Sequence, residues 1–249
     1  MELCIRSERD QMKKIISKIL IVILLISSCI GTINVEPVTV NAATKTNWPK
    51  GPSIYGQTGV LIEASTGTVL YKKCNKKMYP ASITKIMTAL LTIENCKMDE
   101  MVTFSDATIH SIQYGDANMG CSVGEKMTVK DCLYALMLQS ANEVATALGE
   151  HIAGSTKNFA EMMNKRAKEA GALNTHFANA NGLHDPNHYV TAYDMAMITR
   201  AASKYSVFND IVNTTTYTIK HNNKRKTDAT APPAWARPSW SSSWQISCS

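Results

Sequence analysis

A serine and a lysine three residues apart are the first residues of this sequence that could do chemistry. Ser82 and Lys85 precede an apolar run that extends through Leu91. On a helix, residues three positions apart share a face, so their side chains would project side by side. A lysine whose pKa is lowered by burial can take the proton of a serine hydroxyl and so create a nucleophile. The pair indicates nucleophilic catalysis, although a serine that caps a helix beside a solvated lysine has the same spacing.

Ser140 and Asn142 form a second polar pair that could face the first. They lie at a break between two helical patterns, one carrying Leu133 and Leu136 and the other beginning with Glu143. Polar side chains at such a junction can point into a cleft. Serine and asparagine are also favoured as plain helix caps, so these residues alone leave both interpretations open.

Short β-prone segments lie before, between and after the predicted helices, and we expect them to help position these two pairs. Two apolar runs on either side of a Gly-containing turn predict a β-hairpin that leads directly to Ser82. Residues 111–124 are rich in Gly, Ser, Asp and Asn, which predicts a loop, and loops of this length in compact domains are often functional or mobile. The predicted strands cover residues 59–64, 69–72, 101–104, 126–129 and 214–219.

Amphipathic periodicity and capping residues predict the helices. Thr128 with Asp131 forms a capping pattern before an apolar run. Gly171 is placed to end a third amphipathic helix, and Thr191 to cap a later one. The predicted helices begin near residues 82, 129, 143, 159 and 192.

The histidines and cysteines do not predict a metal site. His176, His184 and His188 fall in one turn-rich loop, where a metal cluster is conceivable. A loop hydrogen-bonded through histidines and asparagines is favoured, because no acidic or cysteine ligand set completes the group. The cysteines beyond residue 43 show no Cys-x-x-Cys spacing and no paired histidine, which argues against zinc. We predict no metal and no cofactor.

Charge and the N-terminal pattern limit the partners and the compartment. Of the formal net charge of +6, residues 220–249 carry +4 and residues 1–43 carry +1, so the nearly neutral body argues against nucleic acid. Residues 1–43 resemble a secretory signal, with lysines before an apolar core at 19–26 and small residues at the cleavage positions. We expect an exported, extracytoplasmic protein, in the cell envelope or secreted, with membrane contact only before cleavage. The alternatives are an uncleaved anchor or a lipid attached at Cys29.

Several motifs occur together in an order that resembles the serine D-alanyl-D-alanine carboxypeptidases, the low-molecular-mass penicillin-binding proteins. Ser-x-x-Lys is itself a motif of penicillin-binding proteins and class A β-lactamases. The resemblance covers residues 56–219, and the joint pattern is far more specific than Ser-x-x-Lys alone. The motifs are Pro80-Ala81-Ser82-Ile83-Thr84-Lys85, Ser140-Ala141-Asn142-Glu143, Thr175-His176-Phe177, Asn181-Gly182-Leu183 and Thr191-Ala192-Tyr193-Asp194.

This resemblance implies a fold and a set of roles. The fold would be α/β (α+β), like that of penicillin-binding proteins and β-lactamases, with an antiparallel sheet packed against a helical cluster and the active site between them. Ser82 would attack the bond between the two terminal D-alanines of a peptidoglycan stem peptide, and Lys85 would accept its proton. Ser140 would relay a proton to the leaving D-alanine, and Asn142 would bind the substrate backbone. β-Lactams would acylate Ser82 as substrate mimics.

The end of the sequence departs from the family pattern. The family carries Lys-Thr-Gly on a strand that binds the substrate carboxylate and supplies one oxyanion-hole N–H. This chain has Lys226-Thr227-Asp228 instead, which would place a negative charge there. We therefore interpret residues 44–219 as an incomplete transpeptidase-like domain without its last strands, and residues 220–249 as an aberrant, disordered tail from a truncation or a reading-frame change. The expected consequence is impaired activity.

Two other functions fit the same fold. A β-lactamase-like hydrolase needs a carboxylate that activates a deacylating water. Glu143 follows Asn142 directly, but no loop is evident that would direct it at a water. A non-catalytic cell-wall-binding protein would need no third motif, and the missing Lys-Thr-Gly favours that alternative.

Overall fold

Residue 51 and residues 53–231 are described by the structure, a computed structural model. The predicted signal segment, residues 1–43, lies outside the described residues. So do residues 232–249 of the predicted tail.

Seven α-helices form the helical part of the described chain, and a 3₁₀ turn, Ala81–Thr84, leads into the first of them. The helices are α1 (Lys85–Asn95), α2 (Asp106–His110), α3 (Val129–Leu138), α4 (Asn142–Ala153), α5 (Thr156–Glu169), α6 (Ala192–Ala202) and α7 (Ser206–Val212). Helix α1 is the central helix: it packs against α3, α4, α5, α6 and α7, and every residue from Met87 to Thr92 is buried. These buried side chains are apolar except for Thr88 and Thr92, whose hydroxyls donate to carbonyls. No helix among the described residues combines the length and apolar composition needed to cross a bilayer.

The predicted caps fix the helix ends. The Thr128 hydroxyl accepts a hydrogen bond from Asp131 N–H at the start of α3, and Thr191 accepts one from Asp194 N–H at the start of α6. Gly171, just after α5, has a φ of +87°, which suits a residue without a Cβ. Capping residues satisfy backbone groups that have no partner within the helix, which is why they locate these boundaries in the sequence.

Three two-stranded antiparallel sheets accompany the helices in the described residues. The antiparallel arrangement and the first hairpin are as predicted, but the strands pair two by two rather than in one sheet. Arg200 of α6 donates hydrogen bonds to the carbonyls of Ala64 and Ser65, which attach the turn of the first hairpin to the helices. The paired strands are β1 (Gly59–Ile62) with β2 (Val69–Cys74), β3 (Met101–Thr103) with β4 (Lys126–Thr128), and β5 (Tyr217–Ile219) with β6 (Ala229–Ala231).

The hairpin of β5 and β6 was not predicted beyond its first strand. Lys226-Thr227-Asp228 lies in the connection, where the Asp228 carboxylate accepts hydrogen bonds from Lys220 Nζ (3.0 Å) and His221 N–H (2.9 Å). Strand β6 has only three residues, Ala-Thr-Ala, too few to show a strand period. The compositional boundary at residue 220 therefore does not coincide with the end of the folded elements.

Candidate active site

Ser82 and Lys85 lie side by side where the 3₁₀ turn continues into α1. The Lys85 ammonium donates to Ser82 Oγ over 3.3 Å. From the junction between α3 and α4, the Ser140 hydroxyl also donates to Ser82 Oγ, at 2.9 Å. Three of the four predicted site residues thus meet at a single oxygen, which is half-buried rather than sealed from solvent.

Lys85 is held by acceptors on two other segments. Its Nζ donates to Asn142 Oδ1 and to the Asn181 carbonyl, both at 2.7 Å. The side chain is only 2% exposed. Burial lowers the pKa of Lys85 from 10.5 to about 7, against the opposing attraction of the Glu143 and Asp116 carboxylates. Asn142, the fourth predicted residue, is therefore the group that orients the lysine from the start of α4.

Backbone strain is concentrated at this site. Ala81 has a φ of +48° and Ser140 a φ of +55°, and they are the only non-glycine residues with positive φ in the described part of the chain. Such a conformation costs about 1–3 kcal/mol and persists only where the surroundings enforce it. One of these residues precedes Ser82 and the other carries the hydroxyl that contacts it, so the strain sets the direction of both side chains.

Residues 176–191 form a loop that is built onto the nucleophile turn. Gly182 has a φ of +87°, and a Cβ at this position would lie 1.9 Å from the Ala81 carbonyl oxygen. Only glycine permits that approach. Thr88 of α1 donates to the Ala180 carbonyl at 2.6 Å, which places the neighbouring Asn181 carbonyl on Lys85.

His188 fastens the same loop to the end of the 3₁₀ turn, directly before α1. Ala178 N–H donates to His188 Nδ1 (3.4 Å), so Nε2 carries the proton and donates to Thr84 Oγ1 (2.9 Å). Burial lowers the pKa of His188 to about 4, which keeps the ring neutral. His176 contacts the Asn187 carbonyl through Nδ1 at 2.6 Å. The loop is hydrogen-bonded through its histidines and asparagines, the interpretation that the sequence favoured.

The loop at residues 111–124 packs against the start of α4. The Ala117 carbonyl accepts the Asn142 N–H (2.9 Å), and Met119 N–H donates to Glu143 Oε1 (2.5 Å). Glu143 is buried, and burial raises the pKa of its carboxyl. These two contacts anchor a loop predicted to be functional or mobile at the start of α4.

The sequence did not predict several groups that act on Lys85. The Asn181 carbonyl was not predicted, because every residue has a backbone carbonyl and the residue type does not show which one accepts a hydrogen bond. Asn181-Gly182 did stand out as turn chemistry, and that was the available signal. The Asp116 and Glu143 carboxylates act across space on Lys85, and nothing in their spacing along the chain indicates it.

These contacts can support acyl transfer. A serine oxygen has a neutralisable amine on one side and a hydroxyl on the other, which is the set needed to remove a proton from the nucleophile and deliver one to a leaving group. Solved structures with the same fold carry related chemistry in their names. The Streptomyces K15 DD-transpeptidase superposes with a TM-score of 0.68 at 33% identity, over 73% of this chain and 74% of that one. Penicillin-binding protein 6B of Escherichia coli gives 0.65 at 27%, over 72% and 60%.

Sequence comparison defines the family. The model of the D-alanyl-D-alanine carboxypeptidase family, peptidase S11, matches residues 43–245, and the chain belongs to that family. The D-alanyl-D-alanine carboxypeptidase DacF of Bacillus subtilis is 39% identical over 176 residues, which are 68% of this chain and 44% of that protein. The D-alanyl-D-alanine carboxypeptidase of Streptomyces sp. strain K15 is 34% identical over 200 residues, 76% of this chain and 66% of that protein. The chain thus spans less than half of the Bacillus relative.

Proposed function

We propose that the chain is a serine D-alanyl-D-alanine carboxypeptidase that removes the terminal D-alanine from peptidoglycan stem peptides. The observation that carries the proposal is the convergence of Lys85 Nζ and Ser140 Oγ on Ser82 Oγ, with the pKa of Lys85 lowered to about 7. Membership of the carboxypeptidase family supports it. We infer that the protein acts outside the cytoplasm, at the cell envelope, because the proposed substrate is part of peptidoglycan.

Acylation follows from the contacts. Neutral Lys85 takes the Ser82 proton as Oγ attacks the carbonyl of the penultimate D-alanine. Ser140 passes a proton to the amine of the leaving D-alanine, which departs as the acyl-enzyme forms. The N–H of Ser82, in the first turn of the 3₁₀ segment, is available to the oxyanion because such groups have no helical partner. Water then hydrolyses the ester, and a β-lactam stops at this stage as a stable adduct on Ser82.

We expect the 249 residues by themselves to be weakly active, because no Lys-Thr-Gly occurs among them. In the connection of the last hairpin, Asp228 is already bound to Lys220 and His221, so Lys226-Thr227-Asp228 offers no equivalent anion site. Loss of one oxyanion donor costs about 10²–10³ in turnover, and loss of the carboxylate site adds to that.

The test is release of D-alanine from a peptide that ends in D-Ala-D-Ala. We expect slow release by the 249-residue chain, none by Ser82→Ala, and unchanged release by Ser203→Ala, whose hydroxyl donates to the Arg200 carbonyl at the end of α6. Release that survives Ser82→Ala would refute the assignment of the nucleophile. Binding of the peptide with no release by any variant would favour the non-catalytic cell-wall-binding protein.

One observation makes a β-lactamase the less favoured function. Its deacylating water needs a carboxylate directed at Ser82, and the Glu143 carboxylate is instead held by Met119 N–H. A long-lived penicillin adduct supports the carboxypeptidase, and rapid β-lactam turnover would support the lactamase.

A further inference from the structure

Three ligand-type side chains converge away from the proposed catalytic residues. Cys96, Glu100 and His151 each offer one ligand atom, and these atoms all lie within 4.8 Å of one another. Cys96 and Glu100 are partly buried and His151 is exposed, so the group is open to solvent on one side. None of the three contributes to the acyl chemistry.

The spacing is close to that of a metal site. His151 Nε2 and Glu100 Oε2 are 3.3 Å apart. In a tetrahedral zinc site with ordinary bond lengths, ligand atoms are about 3.3–3.6 Å apart. The histidine and the carboxylate already have that separation, and the cysteine needs an inward shift of at most about 1.2 Å to reach 3.6 Å. Lys97 N–H donates to Glu100 Oε1 at 2.9 Å, which fixes the carboxylate. Glu100 Oε2 shares a hydrogen bond with His151 Nε2, and an ion between these two atoms would replace that bond.

The position of the group in the fold favours a cation. Cys96 is the C-cap of α1, and His151 lies in the last turn of α4. The carbonyl ends of helices carry a partial negative charge, so two helices direct favourable potential at this point. Helix α1 begins with Lys85 and α4 with Asn142, and each helix is about 16–18 Å long. The two helices therefore hold the proposed catalytic residues at one end and these ligands at the other.

We propose that Cys96, Glu100 and His151 bind Zn²⁺ or a similar divalent transition metal, with water as the fourth ligand. A thiolate with an imidazole and a carboxylate suits such ions, whereas Mg²⁺ and Ca²⁺ prefer oxygen ligands throughout. The bound ion joins the C-terminal ends of α1 and α4 to the residue that precedes β3. Because the ligands come from three different parts of the chain, their spacing shows no zinc motif. The lack of a Cys-x-x-Cys spacing and of a paired histidine therefore does not exclude zinc here.

Cobalt titration of the reduced, chelator-treated full chain tests the site directly. We expect one equivalent of Co²⁺ to give a thiolate-to-metal absorption band, and one equivalent of Zn²⁺ to remove it. Cys96→Ser abolishes the band, and His151→Gln and Glu100→Gln each weaken Co²⁺ binding at least tenfold. Zn²⁺ raises the melting temperature of the wild-type chain and not that of Cys96→Ser.

His110→Gln is the matched control. His110 also lies 3.3 Å from a carboxylate, that of Asp106, on an exposed helical surface, but no cysteine joins that pair. We expect the His110→Gln chain to bind Co²⁺ as tightly as the wild type does. The proposal is overturned if the thiolate band persists in Cys96→Ser, or if no band forms in the wild type. Equal loss of affinity in His110→Gln and His151→Gln also overturns it. His151 is exposed, so its variant should fold even if Cys96→Ser does not, and none of these readouts depends on carboxypeptidase activity.

Discussion

Among single residues, the proposed reaction depends most on the protonation state of Lys85. With a pKa lowered to about 7 by burial, its amine is neutral above that pH and can accept the Ser82 proton. We expect the rate of Ser82 acylation by a β-lactam to rise with pH and to level off, with a midpoint near 7. Acylation kinetics measured from about pH 5 to pH 10 will check this.

Replacing Asp116 tests the electrostatics behind that midpoint. The Asp116 carboxylate raises the pKa of Lys85, so Asp116→Asn should move the midpoint to lower pH. Asp106 is an exposed carboxylate on α2 that does not act on Lys85, and Asp106→Asn should leave the midpoint in place. A wild-type rate that keeps rising to pH 10 would show that Lys85 keeps an ordinary pKa, contrary to its buried setting.

His188 should make the fold sensitive to acid. Its folded-state pKa of about 4 is below the ordinary value of 6.5, so the unfolded chain binds more protons between these values, and stability falls as pH drops through this window. The full effect is about 3 kcal/mol by pH 4. Denaturant unfolding at several pH values should show a shallower acid slope for His188→Gln. His184 is exposed, and His184→Gln should retain the wild-type slope.

At the scale of elements, the contact between the nucleophile turn and the loop at residues 176–191 is the most sensitive feature. Gly182→Ala places a Cβ against the Ala81 carbonyl at a positive φ. We expect a loss of more than about 3 kcal/mol of folding free energy, or failure to fold, measured by denaturant unfolding. Gly154 also has a positive φ, but a Cβ added there would have no neighbouring atom within 4 Å. Gly154→Ala should therefore cost only about 1–2 kcal/mol, and equal losses in both variants would contradict the close contact.

Most elements could be predicted from the sequence because local signals mark them. Caps such as Thr128 and Thr191 accept hydrogen bonds within three residues, so residue type alone locates those helix starts. The missed elements are short: α2 has five residues, α7 has seven and β6 has three. Such segments complete no period, and tertiary contacts decide them. The Ser82–Lys85 pair could be predicted because its two residues are only three positions apart. The contact of the Asn181 carbonyl with Lys85 could not, because it depends on how a distant loop folds.

At the scale of the whole molecule, an ion pair between a partly buried arginine and a buried glutamate connects the hairpin of β5 and β6 to the helices and loops before it. Arg225 Nε lies 3.2 Å from Glu125 Oε1, and Glu125 is 1% exposed. Asn222 also donates to this oxygen, at 2.8 Å. Removing the arginine leaves a buried carboxylate without its counter-charge, so Arg225→Met should cost about 3–5 kcal/mol of folding free energy.

Lys220→Met provides the control for that prediction. Lys220 forms an exposed ion pair with Asp228, and such pairs contribute about 0–1 kcal/mol. Thermal or denaturant unfolding of both variants will compare them. Equal stability of Arg225→Met and the wild type would mean that residues 220–231 do not pack as described. The sequence could not predict this ion pair, because Glu125 and Arg225 are 100 residues apart along the chain.

Penicillin labelling followed by mass spectrometry will show whether Ser82, activated by Lys85, forms the acyl-enzyme. The measurement compares the 249-residue chain, Ser82→Ala, and a chimera whose residues 220–249 are replaced by the corresponding segment of the Bacillus subtilis relative. We predict a stoichiometric adduct on Ser82 in the chimera, formation at least about 100-fold slower in the chain itself, and none in Ser82→Ala. An adduct on another residue, or no adduct in the chimera, would contradict this role of Ser82.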